Sequence, residues 1–196
     1  MKVLSVSDTV VHELYDRFDP TLVHGVELIL ACGDLPPEYL SFLRDRVNAP
    51  LYYVQGNHDI RYLEAPLVGC FNVDKRLVRV GGYRLLGLSG SRWYNGGVNQ
   101  YHESEMKWIL RRLWLQLRLA GGVDIIISHA PPRYVGDRED RCHKGFVCYR
   151  RLIRKYRPRW FIHGHIHARF SGVSERIIQF NSTKVLNTCG YVLFEL

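Results

Sequence analysis

The chain has 196 residues, 46% of them hydrophobic, and a formal net charge of +8. That length suits one domain, expected over residues 1–196 with a sizeable core, and apolar runs such as Val123 to Ile127 fall far short of the ~20 residues that span a bilayer. With no such run and no apolar leader before the first strand-like stretch, a cytoplasmic protein with no membrane partner is expected, and the positive charge points toward anionic ligands.

Lys2–Ser7 opens the chain as a strand-like run, and Glu27–Ala31 and Leu51–Val54 repeat the pattern. Between the last two, Pro36 and Pro37 begin a helix to about Arg46, since proline is tolerated in a first helical turn. Strands follow at Leu77–Val80 and Arg84–Leu88, then a glycine-rich segment from Ser91 to Gly97. Glu103 to Leu119 is the clearest helix, with Met106, Ile109, Leu110, Leu113 and Leu117 at helical spacing. Its Trp108 and Trp114 read as packing residues, and Arg111, Arg112 and Arg118 lie on the same helix. Asp124–Ser128 is the next strand, followed by a helix over Phe146 to Tyr156 and a strand at Trp160–His163. The densest basic run is Arg150, Arg151, Arg154, Lys155, Arg157 and Arg159; no nucleic-acid module pattern accompanies it, so nucleic acid is admitted as a partner but not favoured. After His167 the pattern turns to short alternating strands at Gly172–Val173, Ile177–Phe180, Lys184–Leu186 and Tyr191–Glu195. Continuous apolar strands suit coverage on both faces. The alternation of strand and helix with a β-rich tail predicts an α/β protein of two sheets packed together with helices outside. The odd number of cysteines leaves one without a disulfide partner; Cys32 and Cys70 read as small buried side chains, and Cys142 and Cys148 flank His143 without zinc-knuckle spacing.

Metal-type side chains occur where the strands run out. Asp8 ends the first strand, and Asp34 follows the second within Cys-Gly-Asp-Leu. Asn57, His58 and Asp59 follow the third within Gly-Asn-His-Asp. His129 follows Asp124–Ser128, and His165 and His167 follow Trp160–His163 within Gly-His-Ile-His. In open α/β sheets, ligand sites gather at the carboxyl ends of strands. Gly33, Gly56 and Gly164 each stand just before one of these polar groups, where a tight turn or a close backbone approach needs a residue without Cβ. Each motif alone is weak; their order along the chain carries the signal.

That ordered set, Asp8, Gly33-Asp34, Gly56-Asn57-His58-Asp59, His129 and Gly164-His165-Ile166-His167, resembles the calcineurin-like metallophosphoesterase superfamily over nearly the whole chain. The stretch Ser128-His129-Ala130-Pro131-Pro132, with Gly136-Asp137 beyond it, is most similar to the small branch containing mammalian metallophosphoesterase-domain brain proteins and bacterial class III cyclic-nucleotide phosphodiesterases. The resemblance implies a four-layer α-β-β-α sandwich of two mixed sheets. It also implies two divalent metal ions (Mn, Fe, Zn or Ni) sharing a bridging hydroxide, and hydrolysis of phosphodiesters, including cyclic nucleotides, or of phosphomonoesters. Asp34 would bridge the metals, Asp8 and His167 would complete one site, and Asn57, His129 and His165 the other. His58 would approach the leaving-group oxygen as a general acid or bind a phosphate oxygen, its ring oriented by Asp59. The substrate would be a phosphorylated small molecule or a nucleotide.

One position departs from the family. Where the first motif usually reads Asp-x-His, this chain reads Asp8-Thr9-Val10, and valine cannot bind metal. Water could fill the gap, His12 or His163 could reach in, or the site could hold one metal or none of catalytic use. The last case defines the alternative reading, a protein-binding scaffold of the same fold, as in a retromer subunit. A nuclease is the third, with little room for the extra segments such enzymes carry. For substrate contacts, Arg92 can clamp a phosphate through its guanidinium and Tyr94 can stack on a base, unless they serve an ordinary salt bridge and packing. In the loop Tyr134 to Gly145, which holds Asp137, Asp140 and His143, His143 can face the substrate.

Overall fold

The computed structural model describes residues 1–63 and 67–196. Two mixed sheets lie face to face with helices on their outer sides, the four-layer α-β-β-α sandwich expected from the sequence. The first sheet has the order β13-β1-β2-β3-β4, from Gly190–Glu195, Lys2–Ser7, Leu28–Cys32, Leu51–Val54 and Phe71–Asn72. All its pairs are parallel except β1 with β13. The second has the order β11-β12-β10-β9-β6-β5, from Ile177–Phe180, Thr183–Asn187, Trp160–His163, Ile125–Ser128, Tyr83–Leu88 and Leu77–Val80. Its four central strands run parallel and its two edge strands antiparallel.

Strand alternation explains the layers. From β2, Leu28, Leu30 and Cys32 enter the core between the sheets, where they meet Ile125 and Ile127 of β9 and Trp160 and Ile162 of β10. Ile29 and Ala31 of the same strand point the other way, onto Tyr39, Leu40 and Leu43 of helix α1, Pro37–Val47. On the far side, Ile126 and Phe161 pack against Met106, Leu113 and Leu117 of α2, Glu103–Leu119, and against Tyr149, Leu152 and Ile153 of α3, Val147–Tyr156. Strands buried on both faces are the reason the sequence shows continuous apolar runs instead of alternation.

Three features depart from the sequence reading. The segment Gly172–Val173 is no strand; a 3₁₀ turn over Val173–Arg176 leads into β11. The glycine-rich segment after β6 is tied down by a two-stranded ribbon, β7 at Ser91–Arg92 and β8 at Gln100–Tyr101. Trp108 and Trp114 are exposed, not packed: the inward face of α2 belongs to Met106, Leu113 and Leu117.

Candidate metal centre

The parallel strands β1, β2 and β3 of one sheet and β9 and β10 of the other deliver their carboxyl ends to a common edge, and every candidate metal ligand follows one of them. The backbone there is unusual. Asp8, Asp34 and His165 have φ of 64°, 55° and 65°, a left-handed conformation that non-glycine residues rarely adopt. It turns the chain sharply at the strand ends and aims side chains back over the sheet edge. The neighbouring glycines make room. A Cβ on Gly33 would lie 2.5 Å from the Gly56 nitrogen and 2.8 Å from Nδ1 of His129; one on Gly164 would lie 2.5 Å from Oδ2 of Asp8; one on Gly56 would collide with the Asp34 carboxylate.

Four of the six expected ligands converge tightly. Donor atoms of Asp34, His129 and His165 all lie within 4.8 Å of one another. Nε2 of His129 is 3.2 Å from Oδ2 of Asp34, 3.2 Å from Oδ1 of Asn57 and 3.1 Å from Nδ1 of His165. The backbone settles which ring nitrogens face the cluster. Nδ1 of His129 is 2.8 Å from the Cys32 carbonyl, and Nε2 of His165 is 2.8 Å from the Cys142 carbonyl. A carbonyl can only accept, so each of these nitrogens donates, leaving the other available as a lone pair in the neutral ring. Two imidazole nitrogens, an amide oxygen and a carboxylate oxygen around one buried region are a donor set suited to a divalent cation.

The other two ligands stand beside this group as a pair, Nε2 of His167 lying 3.3 Å from Oδ1 of Asp8. The Asp8 carboxylate also accepts from the Ser7 hydroxyl at 2.5 Å and from the His165 backbone N–H at 3.0 Å, which links the pair to the main cluster. Neither histidine weighed as a substitute for the missing ligand reaches in. His12 is exposed with Nδ1 2.9 Å from Asp16, and His163 is buried with Nδ1 2.9 Å from the Gly164 carbonyl. Val10 packs on the α1 side of the first sheet.

Electrostatics match a site meant for positive charge. Burial disfavours the Asp34 carboxylate, but His129 and the His58 N–H hold its pKa down at about 2. Asp8 is likewise buried against its charge, and His167, His129 and Ser7 keep it below the ordinary carboxylate value. Burial works against protonating His129, yet the facing Asp34 and nearby Asp8 raise it to about 9. His165 goes the other way, to about 3, through burial and the neighbouring His129 charge.

The remaining expected residues divide. His58 is exposed at the rim, its backbone N–H donating to Oδ1 of Asp34 at 2.8 Å. Asp59 does not orient it. The Asp59 carboxylate instead accepts backbone N–H groups from Gly56 at 2.7 Å, Asp34 at 2.8 Å and Leu35 at 3.2 Å, stapling the β2 and β3 loops together. Burial raises its pKa to about 6. Tyr94 borders the cluster, its hydroxyl accepting from Nδ2 of Asn57 at 3.1 Å. His143 packs its ring 5.3 Å from that of His165 and is held by Asp140 at 2.8 Å. Arg92 lies on β7, two residues from Tyr94, and no hydrogen bond among the described residues ties it to the cluster. The loop bearing His143 is pinned by Asp137, which takes the Arg133 guanidinium at 2.7 Å and the Gly145 N–H at 2.9 Å. Sequence reasoning missed Ser7 and the Cys32 and Cys142 carbonyls. A hydroxyl next to a ligand motif was a readable signal for Ser7; backbone carbonyls carry none.

A family model described as calcineurin-like phosphoesterase matches residues 1–169. Among solved structures, the protein TT1561 of Thermus thermophilus aligns at 17% identity over 96% of this chain and 89% of its own, with a TM-score of 0.69. A second crystal structure aligns at 15% identity over 98% of this chain and 94% of that one, with a TM-score of 0.68. A protein described as a novel archaeal phosphodiesterase aligns over 97% of this chain and 84% of its own at 15% identity, but its TM-score of 0.48 is too low to bear on function. No curated protein matches the chain significantly.

Proposed function

The chain belongs to the calcineurin-like phosphoesterase family, and from that premise we propose that it is a metal-dependent phosphoesterase that cleaves phosphodiesters, cyclic nucleotides among the candidate substrates. The observation that carries this reading is the convergence of Asp34, Asn57, His129 and His165 with ring nitrogens already oriented by the Cys32 and Cys142 carbonyls. These four would hold one divalent ion. Asp8 and His167, with Asp34 shared, would hold a second more weakly, because Val10 supplies no ligand. Bound divalent ions supply Lewis-acid stabilisation of phosphoryl charge and activation of water.

The chain's own groups cover the rest of the chemistry. Hydrolysis joins a water oxygen to phosphorus and breaks one P–O bond, so the leaving oxygen needs a proton. His58, exposed and tied to Asp34 through its backbone N–H, is our candidate for donating it, its ring being no part of the ligand group. Tyr94 keeps the Asn57 amide turned so that its oxygen faces His129. His143, steadied by Asp140, and Arg92 on β7 are the candidates for holding the rest of the substrate.

The test is reconstitution with Mn, Fe, Zn or Ni, metal analysis after desalting, and hydrolysis of an aryl phosphodiester alongside a phosphomonoester. Stoichiometric metal with metal-dependent turnover is expected. Absence of both with all four metals would remove the enzyme and leave the scaffold reading, which the missing first-motif histidine favours.

A further inference from the structure

Helix α2 carries an outward face that no other element covers among the described residues. Met106, Leu113 and Leu117 point into the core, so helical periodicity turns Trp108, Leu115 and Leu119 to the opposite side. Trp108 is 57% exposed, Leu115 55% and Leu119 79%, and Trp114, turned toward α3, is 44% exposed. Four large apolar side chains on one helix stand free in this way, two of them tryptophan.

The charge around them has one sign. Lys107, Arg111, Arg112 and Arg118 flank the apolar crest, and no acidic residue occurs between Glu105 and Asp124. Glu103 and Glu105 are occupied at the helix start: Glu103 accepts the Val147 and Cys148 N–H groups at 3.0 and 2.8 Å, and Glu105 that of His102 at 2.6 Å. Beyond the crest, Arg151 and Lys155 of α3 line the groove beside Trp114. The guanidinium of Arg112 lies 4.5 Å from the Trp108 ring centre and that of Arg118 5.7 Å from that of Trp114. Arginine thus sits at the level of the indoles, the pairing that suits a phosphate layer above apolar chains.

We propose that this face of α2 is a docking surface for an anionic lipid bilayer, with Trp108, Leu115 and Leu119 entering the interface while Lys107, Arg111, Arg112 and Arg118 meet lipid phosphates. Charge complementarity selects an anionic partner. The large apolar side chains set among these cations select one that offers hydrocarbon beneath a phosphate layer, because a nucleic-acid phosphate backbone gains nothing from exposed leucines. Length bars the helix from spanning; among the described residues no helix is long and apolar enough to cross a membrane. Lying on a bilayer has no such requirement, and the expectation of no membrane partner rested on spanning length and the lack of an apolar leader, neither of which bears on surface binding.

The experiment is flotation of the purified protein with vesicles of phosphatidylcholine alone or mixed equally with phosphatidylglycerol, with tryptophan emission recorded in parallel. Co-flotation at least about tenfold stronger with the anionic vesicles, a blue-shifted emission, and loss of both in the variant carrying Leu115→Glu and Leu119→Glu are expected. Both substitutions are on exposed positions, and an unchanged melting curve verifies the fold. No flotation at low salt, or equal flotation of the variant, would overturn the proposal. So would binding to duplex DNA or polyglutamate of equal strength without an emission shift, or a dimer that Leu119→Glu dissociates in a protein that ignores vesicles.

Discussion

At the scale of single residues, Asp34 and His58 are neighbours with separable duties. The Asp34 carboxylate takes the His58 N–H on one oxygen and faces His129 with the other. Asp34→Asn removes the charge on which both candidate sites depend, so metal content and turnover should fall together. His58→Ala leaves every metal ligand in place; metal content should stay and turnover should drop by ~10²–10⁴-fold, the range for a lost general acid. The drop should shrink for nitrophenyl leaving groups, which need little protonation. Equal losses for nitrophenyl and alkyl leaving groups would make His58 a phosphate ligand instead. Val10 is the third residue of interest. Since neither His12 nor His163 turns toward Asp8, Val10→His should tighten the weaker metal in a two-site titration and leave the stronger nearly unchanged. Some stability should be lost with the packing of Val10 on the α1 side, on the order of 1 kcal/mol.

At the scale of elements, most of what positions the site was legible beforehand. Strands β1, β3, β5 and β10 and helix α2 have the bounds read from apolar runs and periodicity, and the six ligand positions fall on the strand ends where the motifs put them. What could not be read has a common cause. β4, β7 and β8 are two-residue strands held by partners far along the chain or by a local ribbon, too short for any period to show. The role of Asp59 as the group orienting His58 came from the family resemblance, whereas its carboxylate here takes backbone N–H groups of Gly56 in its own loop and of Asp34 beyond β2. The joint between β6 and β9 offers a test of such pinning. Asp124, just before β9, accepts from the Arg84 backbone N–H and Nε at 2.8 Å and from Nη2 at 2.7 Å. Asp124→Asn should cost about 1–3 kcal/mol, the range for a charged hydrogen-bonded pair, in denaturant unfolding. The Arg84 hydrogen bond holds the Asp124 carboxyl below its usual value. A depressed carboxylate stabilises above its unfolded pKa and loses that contribution as pH falls through the folded one. Wild type and variant should therefore converge in acid.

For the whole molecule, the candidate centre couples stability to pH in a way that metal should reverse. In metal-free protein His129 is raised to about 9, so its proton favours the folded state below the unfolded value near 6.5, and that support is lost as pH rises through 9. His163 and His165, lowered to about 4 and about 3 by burial, act oppositely and weaken the fold as pH drops below 6.5. The metal-free melting temperature should thus decline from pH 6.5 to 9. Metal requires neutral His129, so stabilisation by added Mn or Zn should grow over the same window. Melting curves at several pH values, with metal and with chelator, read both slopes; parallel slopes would show that metal displaces no proton from His129.

The hydrogen bond from the His165 N–H to Asp8 joins residues 157 positions apart. Contacts of such separation form late, because a long loop must close before they give any return. The two sheets supply the ligands jointly, so neither can assemble the centre alone: Asp34 and Asn57 wait for His129, and Asp8 waits for His165 and His167. Metal capture by these residues would therefore be a clock as well as a chemical event. It would mark the moment when the last parallel strand has docked, and a chain stalled with only its first sheet in place has no buried nitrogen donors with which to trap an ion prematurely.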